Sequence, residues 1–163
     1  LIINWLEAHR HFAWALVMAL AFMEACPGIG LFVSGALLLS VCTLLYAKQW
    51  LSLSLLLPLA FTGACLSDHL GFYLGRWLGG KFQHTRFAQN RAEKLRRSES
   101  FILKHGAYSI VLGRLVPAVR SLVPLLVGAS GTRKMVFTLL DLLACALWTG
   151  GLGLLVVGLN QLV

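Results

Sequence analysis

Two arginines stand inside an apolar run, Gly113-Arg114-Leu115-Val116-Pro117-Ala118-Val119-Arg120-Ser121-Leu122-Val123-Pro124. A charged side chain at bilayer depth costs at least ~2.5–3.5 kcal/mol, so it marks a functional site by default. A guanidinium is permanently charged and presents a planar fork of donors that fits phosphate or carboxylate oxygens. Pro117 and Pro124 cannot continue a helix, so Arg120 is expected beside irregular backbone. The chemistry of this pair is anion capture. A carboxyl supplies what guanidinium cannot, a group that takes up and releases protons. Glu24 is such a group, in Phe22-Met23-Glu24-Ala25-Cys26-Pro27-Gly28, and Asp68 is another, with Arg76 two helical turns further on.

A purely structural ion network among Glu24, Arg114 and Arg120 remains the alternative reading of the same residues. Five other positions are expected to be unreactive. Asp141 is read as an interfacial residue near a helix start, where the dipole favours an acid. His69 is read as a surface residue, and Tyr73, Trp77 and Trp148 as packing or interface anchors. Cys26, Cys42, Cys65 and Cys145 form no close pair along the chain, so free thiols are expected, with neither a disulfide frame nor a metal site.

The elements that must hold these residues follow from composition. The chain has 163 residues, of which 58% are hydrophobic and only 12% charged, with a mean hydropathy of +0.80. It cannot cover itself with polar surface, which defines an all-α polytopic membrane protein. A formal net charge of +8 would suggest nucleic acid in a soluble chain. Here eight of the 14 basic residues fall between Arg76 and Lys104, the pattern of a cytoplasmic loop beside anionic headgroups. No nucleic acid partner is implied.

Breakers divide the chain, read as a single membrane domain over 1–163. Residues 1–11, with Trp5 at headgroup level, read as an interfacial helix and not as a cleavable signal peptide. Residues 12–47 carry the Pro27-Gly28 break between two short apolar arms and read as a re-entrant hairpin. Residues 50–79 form a span; Gly71, Gly75 and Gly79 repeat every four residues and give it a close-packing face. A basic cytoplasmic loop occupies 80–106. A second re-entrant hairpin covers 107–128, broken at Pro117 and Pro124, and a last span covers 133–160, with Gly150, Gly151 and Gly153 offered for close packing. Hairpin then span occurs twice, which suggests an inverted repeat around a midplane site.

With these residues in place, the chain resembles the DedA family of bacterial inner-membrane proteins, also described as SNARE-associated or VTT-domain proteins and related to eukaryotic lipid scramblases. The resemblance runs through Glu24, Pro27-Gly28 and Ser34-Gly35, then Gly63 to Asp68 and Gly71 to Arg76. It is most specific at Arg114, Pro117, Arg120, Pro124 and Gly128. One departure stands out: Ile29 and Gly30 occupy the place where many members carry a second acid, and Asp68 is the candidate replacement.

The resemblance implies a transporter, not an enzyme: a flippase returning a polyprenyl phosphate carrier, undecaprenyl phosphate, across the inner membrane, coupled to the proton motive force. In that reading Arg114 and Arg120 hold the phosphate. Glu24 and Asp68 handle protons. Arg76, Pro27, Gly28, Pro117 and Pro124 support the site, and no cofactor is called for. The partners are a membrane lipid and protons, and self-association stays open. An uncoupled phospholipid scramblase is the nearest alternative, with a membrane lipid phosphatase or an assembly scaffold behind it.

Overall fold

The computed structural model describes residues 12–32, 35–78, 120–129 and 132–162. The expected interfacial helix at 1–11, the basic loop at 80–106 and the first arm of the second hairpin, with Arg114 and Pro117, lie outside the described residues. The described residues form helices without a strand: α1 (Ala13–Ala25), a 3-10 turn (Ile29–Leu31), α2 (Gly35–Ala47), α3 (Leu53–Leu78), α4 (Val123–Ala129) and α5 (Lys134–Leu162).

Helix lengths sort these elements into two kinds. At 1.5 Å per residue, the 13-residue α1 and α2 each reach only about 20 Å, short of the ~30 Å hydrocarbon core. The 26-residue α3 and 29-residue α5 reach about 39 and 44 Å, and both are apolar enough to cross a membrane. Large apolar side chains face outward along the spans, among them Leu55, Leu66, Trp77, Leu139, Leu147 and Leu154. Such a surface suits lipid and not water.

The break between α1 and α2 is built by Pro27 and Gly28. Proline has no N–H to extend the helix, and Gly28 takes φ +90°, a left-handed conformation that a side chain would strain. Chain reversal is completed by the Gly30 N–H donating to the Cys26 carbonyl at 2.8 Å. α2 ends in a Schellman arrangement. Gln49 adopts φ +58°, its N–H donates to the Tyr46 carbonyl, and the Trp50 N–H donates to the Leu45 carbonyl.

Small residues set how closely the helices approach. α1 turns Ala13, Val17 and Ala21 inward at a spacing of four. Gly63 of α3 lies against this helix, where an added Cβ would sit 2.5 Å from the Met18 carbonyl oxygen. Gly71 lets α3 meet both breakers at once, with Pro27 on one side and Pro124 on the other. Gly75 lies against the Leu125 carbonyl, and Gly128 of α4 lies against the Phe72 carbonyl, so α4 and α3 touch backbone to backbone. Among the described residues, Gly153 of α5 meets Leu57, while nothing lies within 4 Å of a Cβ placed on Gly150 or Gly151.

The apolar core is split by depth. Leu56 and Ala60 of α3 join α1, α2 and the far end of α5 (Leu152, Val156) in one cluster. Phe72 joins Leu122, Val123, Leu126, Val127 and Phe137 in another, with Phe72 and Phe137 stacked at 4.2 Å. Between them along α3 come Ala64, Ser67 and Asp68, and along α5 come Asp141, Cys145 and Thr149, all buried. A polar layer therefore runs through the middle of the molecule. Thr149 is satisfied there by its own helix, donating to the Cys145 carbonyl one turn back.

Candidate functional site

Glu24 is the last but one residue of α1 and is 2% exposed. Its carboxylate would meet the negative end of its own helix dipole, which is unfavourable without compensation. Two features compensate. Arg120 Nη2 reaches Glu24 Oε1 at 2.6 Å, with side-chain exposures of 13% and 3%. The same oxygen lies against the first residue of α2, since a Cβ on Gly35 would stand only 2.7 Å from Oε1. The carboxylate thus sits between a guanidinium and the positive end of α2. A side chain at position 35 would require the carboxylate to shift.

Arg120 is positioned by the turn that leads into α4. Its guanidinium carbon lies 5.3 Å from the centroid of the Trp148 ring, a cation–π contact offered by α5. The next residue, Ser121, packs against Gly30 of the first break and is buried. The Ser121 and Ser67 hydroxyls have no hydrogen-bond partner among the described residues. The first break and the turn before α4 are thereby joined by an ion pair, a serine-on-glycine contact and the Pro27–Gly71–Pro124 stack.

Of the residues singled out in the sequence, Glu24, Arg120, Pro27, Gly28 and Pro124 belong to this junction. Arg114 and Pro117 lie outside the described residues. Arg76 does not reach the junction. It is exposed and donates through Nη1 to the Thr132 carbonyl at 3.1 Å, tying the end of α3 to the approach to α5.

Asp68 belongs to a second group, between the two spans. It is 1% exposed, with Oδ2 3.8 Å from Cys145 Sγ. Asp141 is fully buried and stands seven residues into α5, with Oδ1 3.9 Å from the same sulfur. It is no interfacial helix-start residue, because α5 begins at Lys134 and its second turn already faces α3. His69 is likewise more than a surface residue. Its Nδ1 lies 3.4 Å from Asp141 Oδ2 and 2.9 Å from the Cys65 carbonyl, and Nε2 lies 3.3 Å from Thr138 Oγ1. Trp148, expected as an anchor, is the wall between the two groups. Its ring faces Arg120 and also packs on Ala25, Ala64 and Cys145. Finally, Cys65 and Cys145 are 80 positions apart in sequence, yet their sulfurs and an Asp141 oxygen lie within 4.8 Å of one another.

One signal could have located the second group. Asp141, Cys145 and Thr149 recur every four residues, a polar stripe on one face of an otherwise apolar helix. An acid on such a stripe faces the bundle interior.

Two spans, a short-armed hairpin and a buried polar layer between apolar cores define an all-α membrane protein with an internal ionic site. Comparison with known proteins gives the family. Residues 12–157 match the VTT domain, so the chain belongs to the VTT-domain (DedA) family. It is 30% identical over 122 residues to the inner membrane protein YqjA of Escherichia coli, covering 72% of this chain and 54% of YqjA. It is 25% identical over 132 residues to the inner membrane protein YabI of the same organism, covering 81% and 52%. An uncharacterized membrane protein of Mycobacterium leprae is 28% identical over 159 residues, covering 90% and 68%. The chain spans roughly half to two-thirds of the length of these relatives. No solved structure matches it. With these relatives and two membrane-spanning helices, the protein is a multi-pass protein of the bacterial inner membrane.

Proposed function

We propose that the chain carries a phosphate-bearing lipid across the inner membrane, with undecaprenyl phosphate as the substrate class that the DedA resemblance suggests, and that it couples this to protons. The observation that carries this reading is the Glu24–Arg120 ion pair, buried where the Pro27-Gly28 break meets the turn before α4. An incoming phosphate competes with the carboxylate for the guanidinium, because each offers two oxygens to the same planar donor fork. When phosphate takes Arg120, Glu24 is released and takes up a proton; when the lipid leaves, the pair re-forms. The Ser121 hydroxyl beside Arg120 gives a further donor to a phosphate oxygen. Arg114, in the same Arg-x-x-Pro-x-x-Arg string, is assigned the second guanidinium contact.

Asp68 is assigned a supporting part in proton handling, through the layer it shares with Asp141. Transport, and not hydrolysis, is the proposed activity. His69 does stand between the Thr138 hydroxyl and the Asp141 carboxylate, the order used by hydrolytic triads. However, its Nδ1 also faces the Cys65 carbonyl, and Thr138 is on the side of α5 away from Arg120's partner Trp148 by ten residues of helix, about 15 Å.

The test is translocation of a polyprenyl phosphate in proteoliposomes across a range of pH. Arg120→Ala should abolish transport, and Glu24→Gln should leave a slower flux that no longer depends on pH. Undiminished flux in Arg120→Ala would refute the phosphate role. Retained pH dependence in Glu24→Gln would refute coupling through Glu24, and flux independent of pH in the unaltered protein would favour an uncoupled scramblase. Release of inorganic phosphate from the lipid would favour the phosphatase.

A further inference from the structure

Hydroxyls set within these helices share a habit. Ser40, Thr43, Thr62 and Thr149 each donate to the carbonyl four residues back on their own helix. Ser67 does not. It is fully buried in α3, and its hydroxyl has no hydrogen-bond partner among the described residues. Ser121, 1% exposed, is in the same condition. A buried hydroxyl without a partner costs stability, so a group kept that way calls for an explanation.

The neighbours of Ser67 along α3 put it at the junction. Four residues before it, Gly63 lies against Met18 and Ala21 of α1; four residues after it, Gly71 lies against Pro27 and Pro124. Ser67 shares their face, at the height of the last turn of α1, which carries Glu24. Ala64, three residues before it, clusters with Ala25 and with Trp148, whose ring faces the Arg120 guanidinium. Ser121 comes from the other side, against Gly30, which in turn lies against the Glu24 carbonyl. Two hydroxyls, one from a span and one from the turn before α4, therefore flank the Glu24–Arg120 pair.

Their chemistry says what they fit. A carboxylate has two oxygens, and a guanidinium fork takes up both. A phosphate monoester has three terminal oxygens. A diester has two, because carbon caps the others. With a headgroup on Arg120, the third oxygen of a monoester accepts from the hydroxyls. A diester turns a capped oxygen toward them and leaves them unpaired. Buried donors left unpaired are how a site rejects a close analogue.

We infer that Ser67, acting with Ser121, makes the junction selective for a phosphate monoester over a phosphodiester. The monoester is the headgroup of a polyprenyl phosphate, and the diester is that of the surrounding phospholipids. The inference rests on the phosphate reading of Arg120 and adds the residue that discriminates.

The full chain in detergent at pH 8 is titrated calorimetrically with dodecyl phosphate and with methyl dodecyl phosphate, which differ only in the cap on one oxygen. The second charge of the monoester favours it in every variant, so the ratio of the two affinities is what is read. Ser67→Ala should lower affinity for the monoester about ten- to hundredfold, as for one hydrogen bond to a charged group, and leave the diester nearly unaffected. Ser121→Ala should do the same. Without ligand, Ser67→Ala should unfold at the temperature of the unaltered chain or above it, because no hydrogen bond is lost.

An unchanged ratio in Ser67→Ala, or a less stable ligand-free Ser67→Ala, overturns the inference. Should that variant bind both ligands normally while Arg120→Ala binds neither, the inference falls and the phosphate reading stands. Inorganic phosphate that binds as tightly as dodecyl phosphate, with the same loss in Ser67→Ala, supports the role of Ser67 and overturns the lipid reading. Absence of dodecyl phosphate binding by the unaltered chain overturns both.

Discussion

The junction at Glu24 and Arg120 and the layer at Asp68 and Asp141 both bury charge, but they are built from different parts. The junction is assembled from ends: the last turn of α1, a glycine-rich reversal, the first residue of α2 and the turn before α4. Its charges sit on short elements that cannot span the bilayer alone. The layer is assembled from the middles of two long helices, where regular hydrogen bonding fixes each side chain's height and face. Charge on ends can change partners with small local movements. Charge on mid-helix positions is held in place. This contrast is why substrate exchange is assigned to the junction and a fixed polar layer to the two spans.

The contrast is tested most severely by removing one member of the ion pair. Arg120→Ala leaves Glu24 buried without its guanidinium, which should cost about 3–5 kcal/mol of stability in detergent unfolding. Arg120→Lys keeps the charge but loses the planar fork, and is expected to recover much of the stability and little of the transport. Stability near that of the unaltered protein in Arg120→Ala would mean that the pair is exposed.

Next in size is the contact that lets α4 lie on α3. Gly75→Ala and Gly128→Ala each put a Cβ into a facing backbone carbonyl, which no side-chain rotation relieves. Each should lose roughly 1–3 kcal/mol. Gly150→Ala and Gly151→Ala meet nothing within 4 Å among the described residues and should be neutral or slightly stabilising. Equal effects in the two sets would undo the packing described for α3 and α4.

How far the sequence discloses this arrangement depends on whether a residue is conspicuous alone or only with its partner. Glu24 and Arg120 are conspicuous alone, because any charge in an apolar run demands a reason. Pro27 and Gly28 are too, since they break a helix in any context. Gly71 shows a packing face, although not that Pro27 and Pro124 would both meet it. Cys65 and Cys145 are unremarkable until α3 and α5 lie side by side, because proximity across 80 residues leaves no local trace. For Asp141, distance from the start of the span suggests an interfacial residue, whereas the Asp141–Cys145–Thr149 stripe is the better guide to its burial. Gly150 and Gly151 meet no neighbour among the described residues, so glycines in a membrane helix do not by themselves name a packing partner.

A smaller effect sharpens the boundary between the two regions. Trp148 touches both, so Trp148→Leu should remove a cation–π contact worth about 0.5–2 kcal/mol at the junction. Its consequence should be a higher apparent KM for the lipid, with the polar layer little disturbed. An unchanged KM would take Trp148 out of the site. The smallest effect is expected at Arg76. Its exposed hydrogen bond to Thr132 should be worth no more than about 0.5 kcal/mol, and Arg76→Ala should transport normally. A transport-dead Arg76→Ala would place part of the site at the end of α3, outside the junction.

The central claim is that Glu24 and Arg120 are energetically one unit at the junction. A double-mutant cycle with Glu24→Gln, Arg120→Gln and the combined variant, read by reversible unfolding in detergent, measures that unit directly. The expected result is a coupling energy within the roughly 0.5–3 kcal/mol range of residues in contact, near its upper end, with the double variant more stable than Arg120→Gln alone. Single effects that add to within about 0.5 kcal/mol would mean that the two charges do not share a site, and would contradict the claim.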